Sequence, residues 1–305
     1  MKKNKYWEAI MIKRALILIT LLCTMTAFLY ACDILAGNTS DDGGQTAETP
    51  NSGTTEETPD DGVTEEKNAE EPKDDVDDSE AKFIFTLLDD DTYSVKGKDK
   101  HSFADGKVVI PDSYNGKPVT VIVTSAFGFY DNITEVVMPD SIISIESVAF
   151  AGCTKLRTIR FSSNLTEIPV ACFADCDSLE NVTLPDGLTK LCHSAFINCR
   201  HLTTVDIPNT VSVIEDSVFS GCLSLESVII PDGVTTIGMN CFSKCYSLGE
   251  ITIPKSVKAI VYRAFYLSYI GTVYYGGSEE EWSEIAIDEG NEDLTSANIK
   301  YSSEN

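Results

Sequence analysis

Phenylalanine stands at Phe127, Phe150, Phe173, Phe196, Phe219, Phe242 and Phe265, and every interval in that series is 23 residues. Other columns keep the same step. Five residues earlier come Ile122, Ile145, Ile168, Leu191, Ile214, Ile237 and Ile260, and eight earlier a second aliphatic column runs from Val119 to Val257. Three residues after the phenylalanine come Cys153, Cys176, Cys199, Cys222 and Cys245, with Tyr130 and Ser268 at the ends. Leucine follows in a column from Ile133 to Leu248, then an aliphatic column from Val136 to Ile251. Proline closes the unit at Pro139, Pro185, Pro208, Pro231 and Pro254, with Ser162 as the exception. A unit this short cannot bury its own apolar face, so successive units must stack as coils of a solenoid and share one core.

The segment Leu179, Val182, Leu184, Pro185 alternates apolar and polar positions before its proline. Alternation predicts a strand, and the proline ends it because it has no N–H for a ladder. Strands of successive coils then pair in parallel at about 4.8 Å. The segment from Ile122 to Phe127 crosses back on the other side, with small Ala126 letting the backbone close up.

The unit I-x-x-x-A-F-x-x-C-x-x-L-x-x-V-x-I-P resembles the BspA-like leucine-rich repeat of bacterial surface proteins over roughly Phe83 to Tyr301. The stretch from Pro111 to Val119 is similar to that family's entry into its first coil, and the stretch from Val273 to Trp282 to its exit. The resemblance implies a leucine-rich-repeat solenoid, strand-dominated α/β, of about seven coils, with parallel strands on one face and turns or short helical pieces on the other. It also implies non-catalytic binding at the cell surface, with adhesion to host matrix or other cells and fibronectin-like or fibrinogen-like ligands.

The expected order of parts is a signal segment over 1–31, an acidic tether over 32–80, an N-terminal cap over 81–118, the solenoid over 119–270 and a C-terminal cap over 271–305. Phe83 to Leu88 and Thr92 to Val95 flank three aspartates and predict a capping hairpin, and Asn115-Gly116 predicts a tight turn. Ser278 before three glutamates predicts a helix cap. Trp282 and Ile285 are expected to fold over the last coil, and Ile299 to Tyr301 to add a strand.

Lys2, Lys3, Lys5, Lys13 and Arg14 precede an apolar run from Ala15 to Ala31, the plan of a secretory signal, with Met11 an alternative start. Leu29-Tyr30-Ala31-Cys32 resembles a bacterial lipobox, which implies lipidation of Cys32 and a membrane anchor through that lipid. An uncleaved membrane span is the competing reading. Between Asp33 and Glu80 seventeen carboxylates face only Lys67 and Lys73, a composition that cannot bury a core. As a flexible tether it spans about 40 Å. The formal charge of −25 argues against nucleic-acid partners, since phosphates would be repelled.

Reactive residue types do not group against the repeat rhythm. His193 and His201 fall at positions that vary between coils, and His101 lies before the repeats. No phosphate loop, zinc-protease motif or dinucleotide fingerprint is present, so no catalytic residue and no cofactor is assigned. Cys172 with Cys176 and Cys241 with Cys245 form C-x-x-x-C pairs three coils apart, roughly 14 Å at one strand spacing per coil, too far to share a metal ion. The cysteine column is expected to be a stack of buried thiols.

A solenoid offers an extended surface instead. Eight residues after each phenylalanine stand Glu135, Thr158, Asn181, Thr204, Ser227 and Glu250; ten after stand Val137, Arg160, Thr183, Asp206, Ile229 and Thr252. Both columns alternate with buried ones and should point outward, making a face suited to a protein ligand, with Arg160 as an anchor. The alternative is a carbohydrate-binding or envelope-structural module with no protein ligand. For that reading the candidates are Tyr262, Tyr266 and Tyr269, near where the chain runs one residue short after Phe265.

Overall fold

The computed structural model describes residues 79–302. The signal segment, Cys32 and all but the end of the acidic tether lie outside the described residues.

Each repeat is one coil of backbone with three sides. One side is the main ribbon of parallel strands, in order Lys107–Val109, Glu135–Val137, Thr158–Arg160, Asn181–Thr183, Thr204–Asp206, Ser227–Ile229, Glu250–Ile253, Thr272–Tyr275 and Asn298–Tyr301. Partners sit one repeat apart, as in Glu135 opposite Thr158 and Ser227 opposite Glu250. Seven coils were expected from the phenylalanine count, and the ribbon holds nine rungs. The extra rungs come from the caps, which join the ladder without keeping its period: Thr272 pairs with Glu250 22 residues back and Asn298 pairs with Thr272 26 residues back. Strand pairing tolerates any loop length between rungs, whereas a fixed sequence period does not.

A second side carries the Ile column in two-residue parallel strands from Ser144–Ile145 to Ala286–Ile287. The third side is the turn around each phenylalanine. Here the N–H of one phenylalanine donates to the carbonyl of the residue before the next, as in Phe127 to Ala149 at 2.8 Å and Phe150 to Cys172 at 2.9 Å. Two backbone corners per coil make this possible. The residue two before each repeat phenylalanine (Ser125, Val148, Ala171, Ser194, Ser217, Asn240, Arg263) and the residue two after it (Phe129, Gly152, Asp175, Asn198, Gly221, Lys244, Leu267) all hold φ between 51° and 76°. Only two of these fourteen corners are glycine. At Gly152 a Cβ would stand 2.6 Å from the Phe129 ring, so that corner needs glycine for space as well as conformation.

The seven phenylalanines form one column of near-parallel rings with centroids 5.1 to 5.8 Å apart and planes within 14°. All seven are fully buried, and the flanking Val, Ile and Leu columns are buried with them except at Ile159. The cysteine column does more than fill space. Each thiol donates to the carbonyl of the phenylalanine 26 residues earlier at 3.2 to 3.3 Å, from Cys153 on Phe127 to Cys245 on Phe219. Ser268 makes the same bond to Phe242, which explains why a hydroxyl replaces the thiol there. The eight described cysteines are free and buried. Cys172 and Cys241 occupy the small-residue place of Ala149 and Ala195, next to the phenylalanine.

The ribbon opens between Thr158–Arg160 and Asn181–Thr183, and again between Thr204–Asp206 and Ser227–Ile229. At the first gap the bulky Phe161 stands where other coils have Met138, Leu184 or Ile230, and its ring meets Phe173 edge-on at 5.6 Å. Ile159, central in its strand, is only half-buried there. Ser162, in the proline place of that coil, is buried and donates to the Ile142 carbonyl at 2.6 Å.

Both caps take the expected form. Phe83–Leu87 and Tyr93–Gly97 make an antiparallel hairpin that continues the second ribbon, and Phe83 and Phe103 pack edge-on against Phe127. At the other end Ser278 closes a capping box with Glu281 at the head of Glu279–Ser283. The last phenylalanine turn is followed by no eighth phenylalanine turn, and of its coil-to-coil donors Arg263 N–H alone still reaches a backbone carbonyl, that of Glu289 at 3.1 Å. Phe265 N–H donates to the Asn291 side chain at 3.0 Å and Leu267 N–H to the Asp293 carboxylate at 2.9 Å, so two side chains stand in for the missing backbone. Among the described residues no helix is long and apolar enough to cross a membrane.

Candidate functional site: the outer face of the main ribbon

The two outward columns lie where alternation places them. Thr158, Arg160, Asn181, Thr183, Thr204, Asp206, Ser227, Ile229 and Glu250 are exposed, and Glu135, Val137 and Thr252 are half-buried. Register aligns them rung over rung: Glu135 with Thr158, Val137 with Arg160, Asn181 with Thr204, Thr183 with Asp206, Ile229 with Thr252. Short polar side chains there bond along the column, as Thr204 Oγ1 does to Asn181 Oδ1 at 2.6 Å. Arg160 makes no ion pair among the described residues, and Ile229 is 68% exposed. The face therefore offers a guanidinium in no direct ion pair, with Asp140 as a more distant charge partner, an uncovered aliphatic side chain and a hydroxyl-rich middle.

The caps extend this face beyond the repeats. Lys107 adds a rung under Glu135 and bridges it at 3.0 Å, and Val109 beside it is 59% exposed. At the far end Tyr274 stands over Thr252 in register, with its hydroxyl 3.4 Å from Glu250 and Lys300 Nζ 4.9 Å from its ring centroid. These residues escape a 23-residue count, though the Val273-Tyr274-Tyr275 alternation signals a strand.

The three tyrosines of the alternative candidate divide between two arrangements. The Arg263 guanidinium lies 4.8 Å from the ring centroids of both Tyr262 and Tyr266. Tyr269 stacks instead on Tyr246 at 5.9 Å, and both rings are exposed.

His193 is the histidine with the densest charged surroundings. Its Nε2 lies 3.5 Å from Glu215 and its Nδ1 3.8 Å from Asp216, while Lys190 bridges Glu215 at 2.7 Å. Glu215 also accepts the His193 backbone N–H at 2.9 Å, and Glu146 accepts that of Thr124 in the equivalent position at 2.7 Å. That recurrence makes the glutamate a staple between coils. Burial opposes the charge on Glu215, but the Lys190 and His193 bonds outweigh it and hold its pKa below the usual value. The nearby Cys192 thiol is pushed up to about 11 by burial, the wrong direction for a nucleophile. Among the described residues no three His, Cys, Asp or Glu side chains gather as metal ligands.

A parallel-strand repeat solenoid with an exposed strand face is thus the class of protein that the fold and its outer face define. The family model for the BspA type leucine rich repeat region matches in six copies over residues 120–230 and 166–289, and the chain belongs to that family. Among solved structures it is similar to the leucine rich repeat protein TpLRR of T. pallidum, 26% identical with a TM-score of 0.54, over 73% of this chain and 96% of that one. It is also similar to a leucine-rich repeat protein from Bacteroides ovatus, 21% identical with a TM-score of 0.49, over 73% of this chain and 66% of that one. A third, from Bacteroides capillosus, is 33% identical over 40% of this chain, with 91% of that one covered and a TM-score of 0.37. No curated protein matches the sequence.

Proposed function

We propose that the chain is a non-catalytic, extracytoplasmic binding module that holds a protein ligand on the outer face of its main ribbon. The observation that carries this reading is the face itself: nine aligned strands present a strip about 40 Å long with exposed Ile229 and exposed Arg160 set among short hydroxyl side chains. Small polar residues leave the backbone accessible, and an arginine with an exposed aliphatic group supplies the contacts that dominate protein interfaces. The sequence supports delivery to the cell surface by a signal segment, lipidation at Cys32 and the acidic tether.

The test is capture of matrix proteins, fibronectin and fibrinogen among them, and of glycans by the purified chain. Substituting Arg160→Glu, Val137→Lys and Ile229→Lys together is expected to weaken a protein ligand at least tenfold with the fold intact by circular dichroism. Undiminished binding by that variant would sink the reading. The stacked, exposed Tyr246–Tyr269 pair favours carbohydrate as the second reading; loss of glycan binding on Tyr266→Ala and Tyr269→Ala, with protein ligands absent, would select it. Lipidation is checked separately: Cys32→Ser should release the chain into the medium and remove incorporation of a labelled fatty acid.

A further inference from the structure

The main ribbon ends in an open edge. Its last strand, Asn298–Tyr301, pairs with Thr272–Tyr275 on one side, and among the described residues no strand pairs with the other. Asn298 N–H donates to the Gly271 carbonyl at 3.1 Å, and Ser302 N–H to the Tyr275 carbonyl at 3.0 Å. In a parallel ladder the backbone groups of successive residues point to opposite sides. Asn298, Lys300 and Ser302 therefore face inward, and the N–H and C=O of Ile299 and Tyr301 face outward.

The two ends of the solenoid are not complementary to one another. At the N-terminal end the strand Phe83–Leu87 overhangs as the outermost strand of the second ribbon. If a second copy continued the main ribbon head to tail, that strand would fall where Ala286–Ile287 of the first copy already lies. Edge-to-edge pairing of two C-terminal ends meets a different obstacle, which is charge. Residues 271–302 hold eight carboxylates, from Glu279 to Asp293, against Lys300 alone. Among the described residues none of the eight is paired with a cation. Burial and the neighbouring Glu279 carboxylate raise the Tyr301 hydroxyl pKa, which places that negative charge beside the edge strand.

We propose that the outward edge of Asn298–Tyr301 accepts an extended Lys/Arg-rich segment of a partner protein as a tenth strand of the main ribbon. Backbone bonds to Ile299 and Tyr301 set the pairing, and the acidic cap selects the sign of the incoming chain. The edge is separate from the outer face of the ribbon, so either site can fail without the other.

The probe is a short fluorescent peptide of alternating Lys and Val, titrated into the purified full chain and followed by anisotropy. Saturable one-to-one binding is expected, weakening as salt rises. An alternating Glu-Val peptide should not bind, nor should the Lys-Val peptide with its backbone nitrogens methylated. Ile299→Pro removes an outward N–H and no ladder bond, so it should lower affinity at least tenfold while the melting temperature moves by only a few degrees. Tyr301→Pro is the matching variant should Ile299→Pro fail to fold. Equal binding by the methylated peptide, or by both proline variants, would reduce the effect to bulk charge and overturn the proposal. So would a dimer of the purified chain that Ile299→Pro dissolves, since a second copy would then own the edge.

Discussion

Ala171 sits at φ 51° in the corner before Phe173, and Val148 at φ 55° in the corner before Phe150. Side chains in that left-handed region cost on the order of 1 kcal/mol, and here the coil-to-coil bonds of the phenylalanine turn enforce it. Ala171 has little to lose by truncation, so Ala171→Gly is expected to stabilise the protein by about 0.5–1 kcal/mol, read as a higher denaturation midpoint. The cysteine column shows the same economy of role. Because Ser268 already serves in that column, Cys199→Ser should cost less than Cys199→Ala, which strips a donor from the Phe173 carbonyl and costs about 1–2 kcal/mol. Burial pushes the Cys153 thiol up to about 12 and Cys192 to about 11, with the deeper thiols raised as well. Folded values above the unfolded one mean that this stability is complete below about pH 8.5 and is lost as pH climbs through the folded values. A melting temperature that falls between about pH 9 and 11, with slow thiol labelling of the native chain at pH 8, is the expected result.

At the scale of an element, no strand here is longer than six residues and most of the second ribbon's strands are two. Such strands do not stand alone; each is held by the rungs on either side and by the columns beneath. The helix Glu279–Ser283 is similarly short and depends on its Ser278–Glu281 capping box. Ser278→Ala should cost about 1 kcal/mol locally, visible as faster hydrogen exchange over residues 279–285 with the repeats unchanged. The ladder gaps belong to this scale too: one lies beside Phe161 and half-buried Ile159, the other beside Ile207, so a large ring in that column is not what opens the ribbon in both places.

The whole molecule behaves as a one-dimensional array in which each coil meets only its neighbours. Truncating one ring of the phenylalanine column, as in Phe196→Ala, should cost about 3–5 kcal/mol. Coupling should then depend on distance along the axis. Phe173→Ala and Phe196→Ala, whose rings stack at 5.4 Å, should be non-additive in a double-mutant cycle. Phe150→Ala and Phe242→Ala, four coils apart, should add to within about 0.5 kcal/mol.

The core and the outward face of the ribbon were legible in the sequence because both follow from one number, the 23-residue step, combined with the two-residue alternation of a strand. Phe150, Phe173 and Phe196 had to share a stack, and Thr158 and Arg160 had to point away from it, for the chain to bury its apolar columns at all. Tertiary structure alone decided what the period does not encode. It set the left-handed corners, which fall on residues as different as Val148, Lys244 and Leu267 and so leave no compositional trace. It made the thiols donors, a role fixed by where the Phe127 to Phe219 carbonyls point. It also split Tyr262 and Tyr266 from Tyr269 and enrolled Lys107–Val109, Thr272–Tyr275 and Asn298–Tyr301 in the ribbon. Strand pairing joins segments by backbone geometry across loops of any length, and that leaves no fixed spacing in the chain.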